Sequence, residues 1–354
     1  MKKLKIAIIG VGNIAENHIA SYKNNENVEL YAFCDINADT LEEKGKKHGI
    51  TRLYTDEQKM FDENPEIDAV SVCTWNNGHA PATIMALNAG CHVLCEKPMA
   101  LNATEAQAMI DASKKNGKKL MVGFVRRFGN DAAVARDFIN AGSLGDIYYV
   151  KANYLRRNGC PGGWFADKER SGGGPLIDLG VHVIDLVRYL MGCPMPTAAY
   201  GATFDGFGKR EGLKDKRDYV VRGDGATEPH TVEDMASALV RFDNGAVLAV
   251  EASFNMHRET NLASIEMFGT KGGVKLDPQF SLYTETNGYL SNIKLDMNTA
   301  LSFNGLFQNE VNYYVDSIIN DRDLSSIAED GCTLMKILDA IYESAETKHE
   351  VMIK

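Results

Sequence analysis

Between Lys3 and Phe124, short and nearly continuous apolar runs alternate with amphipathic stretches, and this alternation constrains the fold more than any other feature. The runs are LKIAIIG, VELYAFCD, IDAVSVCT, HVLCEKP and KLMVGF. Between them lie NIAENHIASYKNN, ADTLEEKGKKHG, HAPATIMALNAG and TEAQAMIDASKKNG, whose periodicity is helical. Strands that are apolar on both faces and separated by helices predict a parallel sheet covered on each side. A chain of 354 residues is too long for one ordinary core, so a second domain is expected. After about Asp146 the pattern changes. DMASALVRF and AVLAVEASF alternate on either side of Asn244-Gly245, a hairpin signal. NLASIEMFGTKGGVKLD supplies further strands with glycine turns, and LIDLGVHVIDLVRYLMG and CTLMKILDAIYESAETK read as helices. The second half is therefore expected to be an α+β domain built on an open, mainly antiparallel sheet.

Composition excludes several partners. A net charge of −10 argues against coating nucleic-acid phosphates. No apolar run approaches the length of a membrane span, and MKKLKIAIIGVGNIAEN breaks into glycines too early for a signal peptide. Neither nucleic acid nor membrane is an expected partner. Cys34, Cys73, Cys91, Cys95, Cys160, Cys193 and Cys332 lie mostly in apolar runs and read as reduced, buried thiols of a cytoplasmic protein. Cys91 and Cys95 have no second cysteine pair or histidine cluster beside them, so no metal site is expected.

Gly10, Gly12 and Ala15 form G-x-G-x-x-A after the first strand and at the start of the first helix, with Asn13 and Ile14 between. The first glycine makes a tight turn, the second lets a pyrophosphate approach the backbone, and the small third residue lets helix and strand pack closely. The helix N-terminus then faces the phosphates. The second strand ends at Asp35, where a carboxylate can hold the adenosine ribose hydroxyls. No Arg or Lys adjoins Asp35, and a 2′-phosphate would meet its negative charge, so NAD is favoured over NADP. Lys44, Lys46 and Lys47 read as a solvated face.

Two further strands end on polar loops. Loops at the carboxyl ends of parallel strands line the nucleotide crevice, which assigns Thr74, Asn76 and His79 to the cofactor side; an ordinary turn and helix cap is the alternative. Glu96-Lys97-Pro98 closes the next strand on the same rim. A lysine there can polarise a substrate oxygen or help carry its proton, the alternative being a Glu-Lys surface pair. In SGGGPLIDLGVHVIDL, Gly172–Gly174 bring backbone close to something and Pro175 begins a helix. Asp178, His182 and Asp185 follow at i, i+4 and i+7 on one stripe. His182 is a sound general base for a hydroxyl proton, with Asp178 to orient it; a core histidine with a capping aspartate would look the same.

GVGNIA, CEKPMA, GFVRRF (Gly123–Phe128) and GGGPLIDLGVHVIDL occur in the order found in the glucose–fructose oxidoreductase/inositol dehydrogenase/rhizopine-catabolism (Gfo/Idh/MocA) family, which the chain resembles over nearly its whole length. The resemblance implies an N-terminal Rossmann domain, here 1–125, and an α+β domain, here 126–354, with the C-terminal helix placed to pack back on the first. It implies hydride transfer between a nicotinamide and a hydroxyl-bearing carbon of a sugar, a polyol such as inositol, or a sugar derivative. It implies that Lys97, Asp178 and His182 act together with His182 as proton acceptor, and that Glu96 lies on the nicotinamide side. It implies a homodimer or homotetramer formed through the large sheet. Ala15 replaces the third glycine and Trp75 replaces the proline common before the Asn. Relatives that oxidise a sugar transiently to eliminate a glycoside, or that only sense sugars or dinucleotides, are the alternative activities.

Substrate residues are less marked. Arg126 in GFVRRF, and Tyr154, Arg156 and Trp164 in NYLRRNGCPGGWFADKERSGGG, join Lys97, Asp178 and His182 on the substrate side. Trp164 can cover an apolar sugar face while arginines supply donors; paired arginines also suit an acidic or phosphorylated sugar. GFGKREGLKDKRDYVVRGDGATEPHTVED reads as a mobile loop or a subunit-contact arm, with His230 a solvated histidine near its end.

Overall fold

The computed structural model describes residues 3–208, 210, 213–214, 229–296 and 303–354. Most of the polar stretch 206–234, expected as a loop or arm, lies outside them. In chain order the first half runs β1 (Leu4–Ile9), α1 (Ala15–Lys23), β2 (Val28–Cys34), α2 (Ala38–His48), β3 (Leu53–Tyr54) and α3 (Glu57–Glu63). It continues with β4 (Ala69–Val72), α4 (Asn76–Asn88), β5 (His92–Glu96), α5 (Ala103–Asn116) and β6 (Leu120–Gly123). Then come α6 (Asn130–Asn140), β7 (Ile147–Leu155), α7 (Lys168–Ser171), α8 (Val181–Leu190), β8 (Pro196–Phe204), β9 (Met235–Phe242) and β10 (Val247–Ser253). The chain closes with β11 (Leu262–Gly269), β12 (Gly272–Lys275), β13 (Ser281–Thr286), β14 (Tyr289–Ile293), α9 (Phe303–Ile319), α10 (Ser325–Thr347) and β15 (Val351–Met352).

Two compact units result: residues 1–128 with 302–332, and 129–301 with 333–354. In the first, six parallel strands lie in the order β3-β2-β1-β4-β5-β6. β4 and β6 are buried along their whole length, as a sheet covered on both faces requires. The order reverses between β1 and β4, and crevices open beyond the carboxyl ends of strands at such a point. Ile6, Ile8, Ile19 and Phe33 form one core with Val311, Tyr314 and Val315 of α9, a helix that the sequence reading did not identify.

The second unit holds a nine-stranded sheet, β14-β13-β12-β11-β7-β10-β9-β8-β15. Its pairs are antiparallel except β7 with β10, which run parallel. The Asn244-Gly245 hairpin forms between β9 and β10, with Gly245 at φ +84°. Along β9, Ala236, Ala238, Val240 and Phe242 are buried while Leu239 and Arg241 are exposed, the alternation of a sheet covered on one face only. Six of the seven cysteines are buried, Cys193 is half-buried, and none of the seven forms a disulfide. Among the described residues no helix is long and apolar enough to cross a membrane.

Candidate active site

In the first unit the glycine loop is built by close approach. Gly10 sits at φ +81°, and a Cβ there would lie 2.7 Å from the carbonyl carbon of Cys73 and from the nitrogen of Thr74, at the end of β4. Backbone cannot yield as a flexible side-chain tip can, so only glycine fits. A Cβ on Gly12 would meet nothing within 4 Å, which leaves open space over that peptide. Asn13 is exposed and Ile14 half-buried, and no side chain caps α1. Uncapped amides at a helix start beside an open glycine suit a pyrophosphate. Asp35 follows β2; its Oδ2 accepts the Val11 N–H at 2.8 Å and its Oδ1 accepts that of Asn37 at 2.8 Å. The acid is thus stitched to the glycine loop. These residues fit a dinucleotide.

Lys44 departs from the solvated face expected of it. It is largely buried and pairs with Glu16, which also meets Lys47 at 2.9 Å and the His48 ring at 3.1 Å. Though partial burial opposes it, hydrogen bonds from Lys44, Lys47 and His48 hold the Glu16 pKa down at about 2.

Thr74 is half-buried and Trp75 exposed, while Asn76 is buried at the first position of α4. His79 is buried with Nδ1 2.6 Å from the Pro98 carbonyl and Nε2 3.2 Å from that of Thr74. Burial lowers its pKa, while the two carbonyls favour an N–H on each ring nitrogen that faces them. The imidazole ties the turn after β5 to the loop after β4. The Lys97–Pro98 peptide is cis, and Lys97 is half-buried directly beyond β5. Glu96 is buried; its Oε2 accepts the Lys97 backbone N–H at 3.1 Å and its Oε1 lies 2.8 Å from His18 Nε2. Burial opposes the carboxylate charge, yet the bonds from His18 and Lys97 leave its pKa below 4.5. Arg126 is half-buried in the short turn Val125–Phe128, and its neighbour Arg127 makes a buried ion pair with Asp330 at 3.0 Å.

In the second unit, the partner expected for the glycine run is identified as Glu233 and Tyr342. A Cβ on Gly173 would collide with the Tyr342 hydroxyl, and one on Gly174 with the Glu233 carbonyl. The Glu233 carboxylate accepts the N–H of Gly174 at 2.9 Å, that of Leu176 at 3.3 Å and the Tyr342 hydroxyl at 2.9 Å. Burial pushes its pKa up against these bonds. The carboxylate thereby caps the helical segment that carries Asp178 and His182.

That segment opens with a π-helical turn, Leu176–Gly180, before α8 begins at Val181. Asp178 lies within this turn, while His182 and Asp185 follow three residues apart in the regular α8. Asp178 and His182 are half-exposed, whereas Asp185 is 3% exposed and belongs to the interior. Tyr154, half-buried at the end of β7, packs on a cluster that includes Cys160, Leu179 and Phe254. The Arg156 guanidinium lies 5.4 Å from the Tyr154 ring and donates to the Gly159 carbonyl at 3.0 Å. Trp164 stacks on Phe165 with ring centroids 3.9 Å apart. His230 is half-buried, with Nε2 3.8 Å from Cys160 Sγ, rather than solvated. The sequence reading missed His18, Ser71 and Glu233. For His18 a signal existed, since Ala15, His18, Ile19 and Tyr22 fall at i, i+3, i+4 and i+7 and share the face of α1 that the core buries.

Residues 4–124 match the model of an oxidoreductase family with an NAD-binding Rossmann fold, and residues 136–353 match that family's C-terminal alpha/beta domain. The chain is 34% identical over 347 residues to the D-glucoside 3-dehydrogenase of Escherichia coli strain K12, covering 97% of this chain and 96% of that protein. It is 31% identical over 287 residues to the levoglucosan dehydrogenase of Pseudarthrobacter phenanthrenivorans, covering 77% and 73%. A solved levoglucosan dehydrogenase in complex with NADH and L-sorbose superposes with TM-score 0.87 at 25% identity, covering all of both chains.

Proposed function

Because the chain belongs to the Gfo/Idh/MocA oxidoreductase family, we propose that it is an NAD-dependent dehydrogenase that oxidises a hydroxyl-bearing carbon of a sugar, a glycoside or a polyol. The observation that carries this reading is the position of Lys97, half-buried immediately beyond the carboxyl end of β5 and preceded by a buried, hydrogen-bonded glutamate. In this reading Lys97 holds the substrate oxygen, His182 accepts its proton and Asp178 orients the imidazole. Gly10, Gly12, Asn13, Ile14, Thr74, Asn76 and Glu96 hold the cofactor, with His79 fixing the loop, and the bound nicotinamide supplies the hydride acceptor. Asp35 favours NAD, since a 2′-phosphate would add like charge beside a carboxylate already fixed by two N–H groups. Arg126, Tyr154, Arg156 and Trp164 contact the sugar. The face of the large sheet that exposes Tyr200 and Leu239 joins copies into a homodimer or homotetramer. Six buried thiols suit a reducing compartment, and the protein is assigned to the cytoplasm.

The relatives' names supply the panel for the test: methyl glucosides, levoglucosan, myo-inositol and D-apiose. Each is offered with NAD and with NADP while reduced-cofactor absorbance is followed. Net NADH is expected, with Lys97→Ala and His182→Ala each lowering turnover about 100-fold or more. Turnover unchanged in both variants, or aglycone release without NADH, overturns the reading.

A further inference from the structure

We propose that His18 is a positioning residue for Lys97 and acts through Glu96; the inference rests on the reading that Lys97 is catalytic. Four buried polar side chains form a continuous hydrogen-bonded chain beneath the lysine. Tyr22 Oη lies 2.7 Å from Ser71 Oγ, which lies 3.2 Å from His18 Nδ1. His18 Nε2 lies 2.8 Å from Glu96 Oε1, and Glu96 Oε2 accepts the Lys97 backbone N–H. His18 and Ser71 are 0% exposed, Tyr22 1% and Glu96 5%.

A buried polar chain is a weak source of stability. Replacing a buried polar pair by apolar groups of similar volume is often neutral or stabilising. Ser71 stands in a strand otherwise made of Ala and Val, and His18 stands on the apolar face of α1. What the chain delivers is a carboxylate with one orientation. The imidazole is aligned by Ser71 on one nitrogen and packed against the Phe307 ring, centroids 5.5 Å apart. Its other nitrogen then leaves Glu96 Oε2 turned to the Lys97 N–H. Beyond the lysine, His79 holds the Pro98 carbonyl. The backbone of Lys97 is thus gripped before and after the residue, which limits where its ammonium can reach. A misplacement of an ångström is enough to cost a large part of a turnover rate.

The test uses the full chain with NAD and whichever panel compound yields NADH. His18→Leu is expected to lower kcat about tenfold, to leave the KM for NAD within about twofold, and to leave the melting temperature no lower. His18→Gln, whose amide can still donate to Glu96, is expected to recover most of the rate. Ser71→Ala serves if His18→Leu does not fold, and should lower kcat about threefold. A second readout needs no substrate: the rate at which acetic anhydride labels Lys97, followed by peptide mass spectrometry, should change about twofold or more in His18→Leu. A kcat within twofold of wild type, a fall that tracks melting temperature and is not recovered by Gln, or an unchanged labelling rate overturns the proposal. If Lys97→Ala keeps its turnover, the catalytic reading fails instead, and the labelling rate still decides whether His18 holds the lysine.

Discussion

Removing the carboxylate of Glu233 tests the link between the buried glutamate and the segment that carries Asp178 and His182. Glu233→Ala strands the N–H groups of Gly174 and Leu176 and the Tyr342 hydroxyl, three donors that now share one carboxylate. A buried group left without a partner costs about 1–3 kcal/mol. Three such groups, less the relief of no longer burying a carboxylate and some local relaxation, give a loss of about 3–5 kcal/mol. Glu233→Gln keeps one accepting oxygen but turns an amide toward a donor, and should cost about 1–2 kcal/mol. Tyr342→Phe removes the bond to Glu233 and the oxygen that faces the Gly174 and Ile177 N–H groups, for about 1–2 kcal/mol, and part of that cost should remain once Glu233 is gone. Urea denaturation of the four proteins gives the cycle, and kcat follows the site. The Asp178 N–H bonds to the Gly174 carbonyl at 3.1 Å, so slack at Gly174 is passed to Asp178. Activity in Glu233→Ala should therefore fall further than the loss of folded protein explains. A Glu233→Ala variant within about 0.5 kcal/mol of wild type, with unaltered kcat, would refute the reasoning.

Two other predictions concern the first unit. Gly10→Ala places a methyl against the backbone of Cys73 and Thr74 at a left-handed φ, and should cost about 2–4 kcal/mol together with NAD binding, read by calorimetry; a variant that binds NAD normally contradicts the account of the loop. Glu16 contributes stability above its unfolded pKa that is lost as pH falls from about 4.5 through about 2. Its partial exposure and salt screening reduce the contribution to about 1 kcal/mol. The urea midpoint of Glu16→Gln should therefore fall less than that of wild type as pH drops toward 3, and parallel curves would exclude the cluster as the cause.

Legibility in the sequence followed the range of the interactions. β1, the glycine loop, Asp35 and β5 with its Glu-Lys-Pro ending are local patterns, and each falls where its pattern placed it. The Asn244-Gly245 hairpin was equally local. α9 was not legible, because what marks it as a helix is its packing on α1, nearly three hundred residues earlier in the chain. The π-helical turn was hidden because i→i+5 pairing leaves no residue signature. Glu233 stands just after a polar stretch without periodicity, and its partners lie about sixty and more than a hundred residues away. His18 and Ser71 each interrupt an apolar pattern, the mark a buried polar network leaves in a sequence.

The return of residues 302–332 to the first unit bears on how the protein is made. Val311, Tyr314 and Val315 close the core over Ile19 and Tyr22, yet they leave the ribosome after the whole nine-stranded sheet except its last strand. During synthesis the dinucleotide-binding sheet waits with one helix face uncovered while the later unit is built, the reverse of the usual order in which N-terminal domains finish first. A fragment cut after Phe128 would be held permanently at that stage.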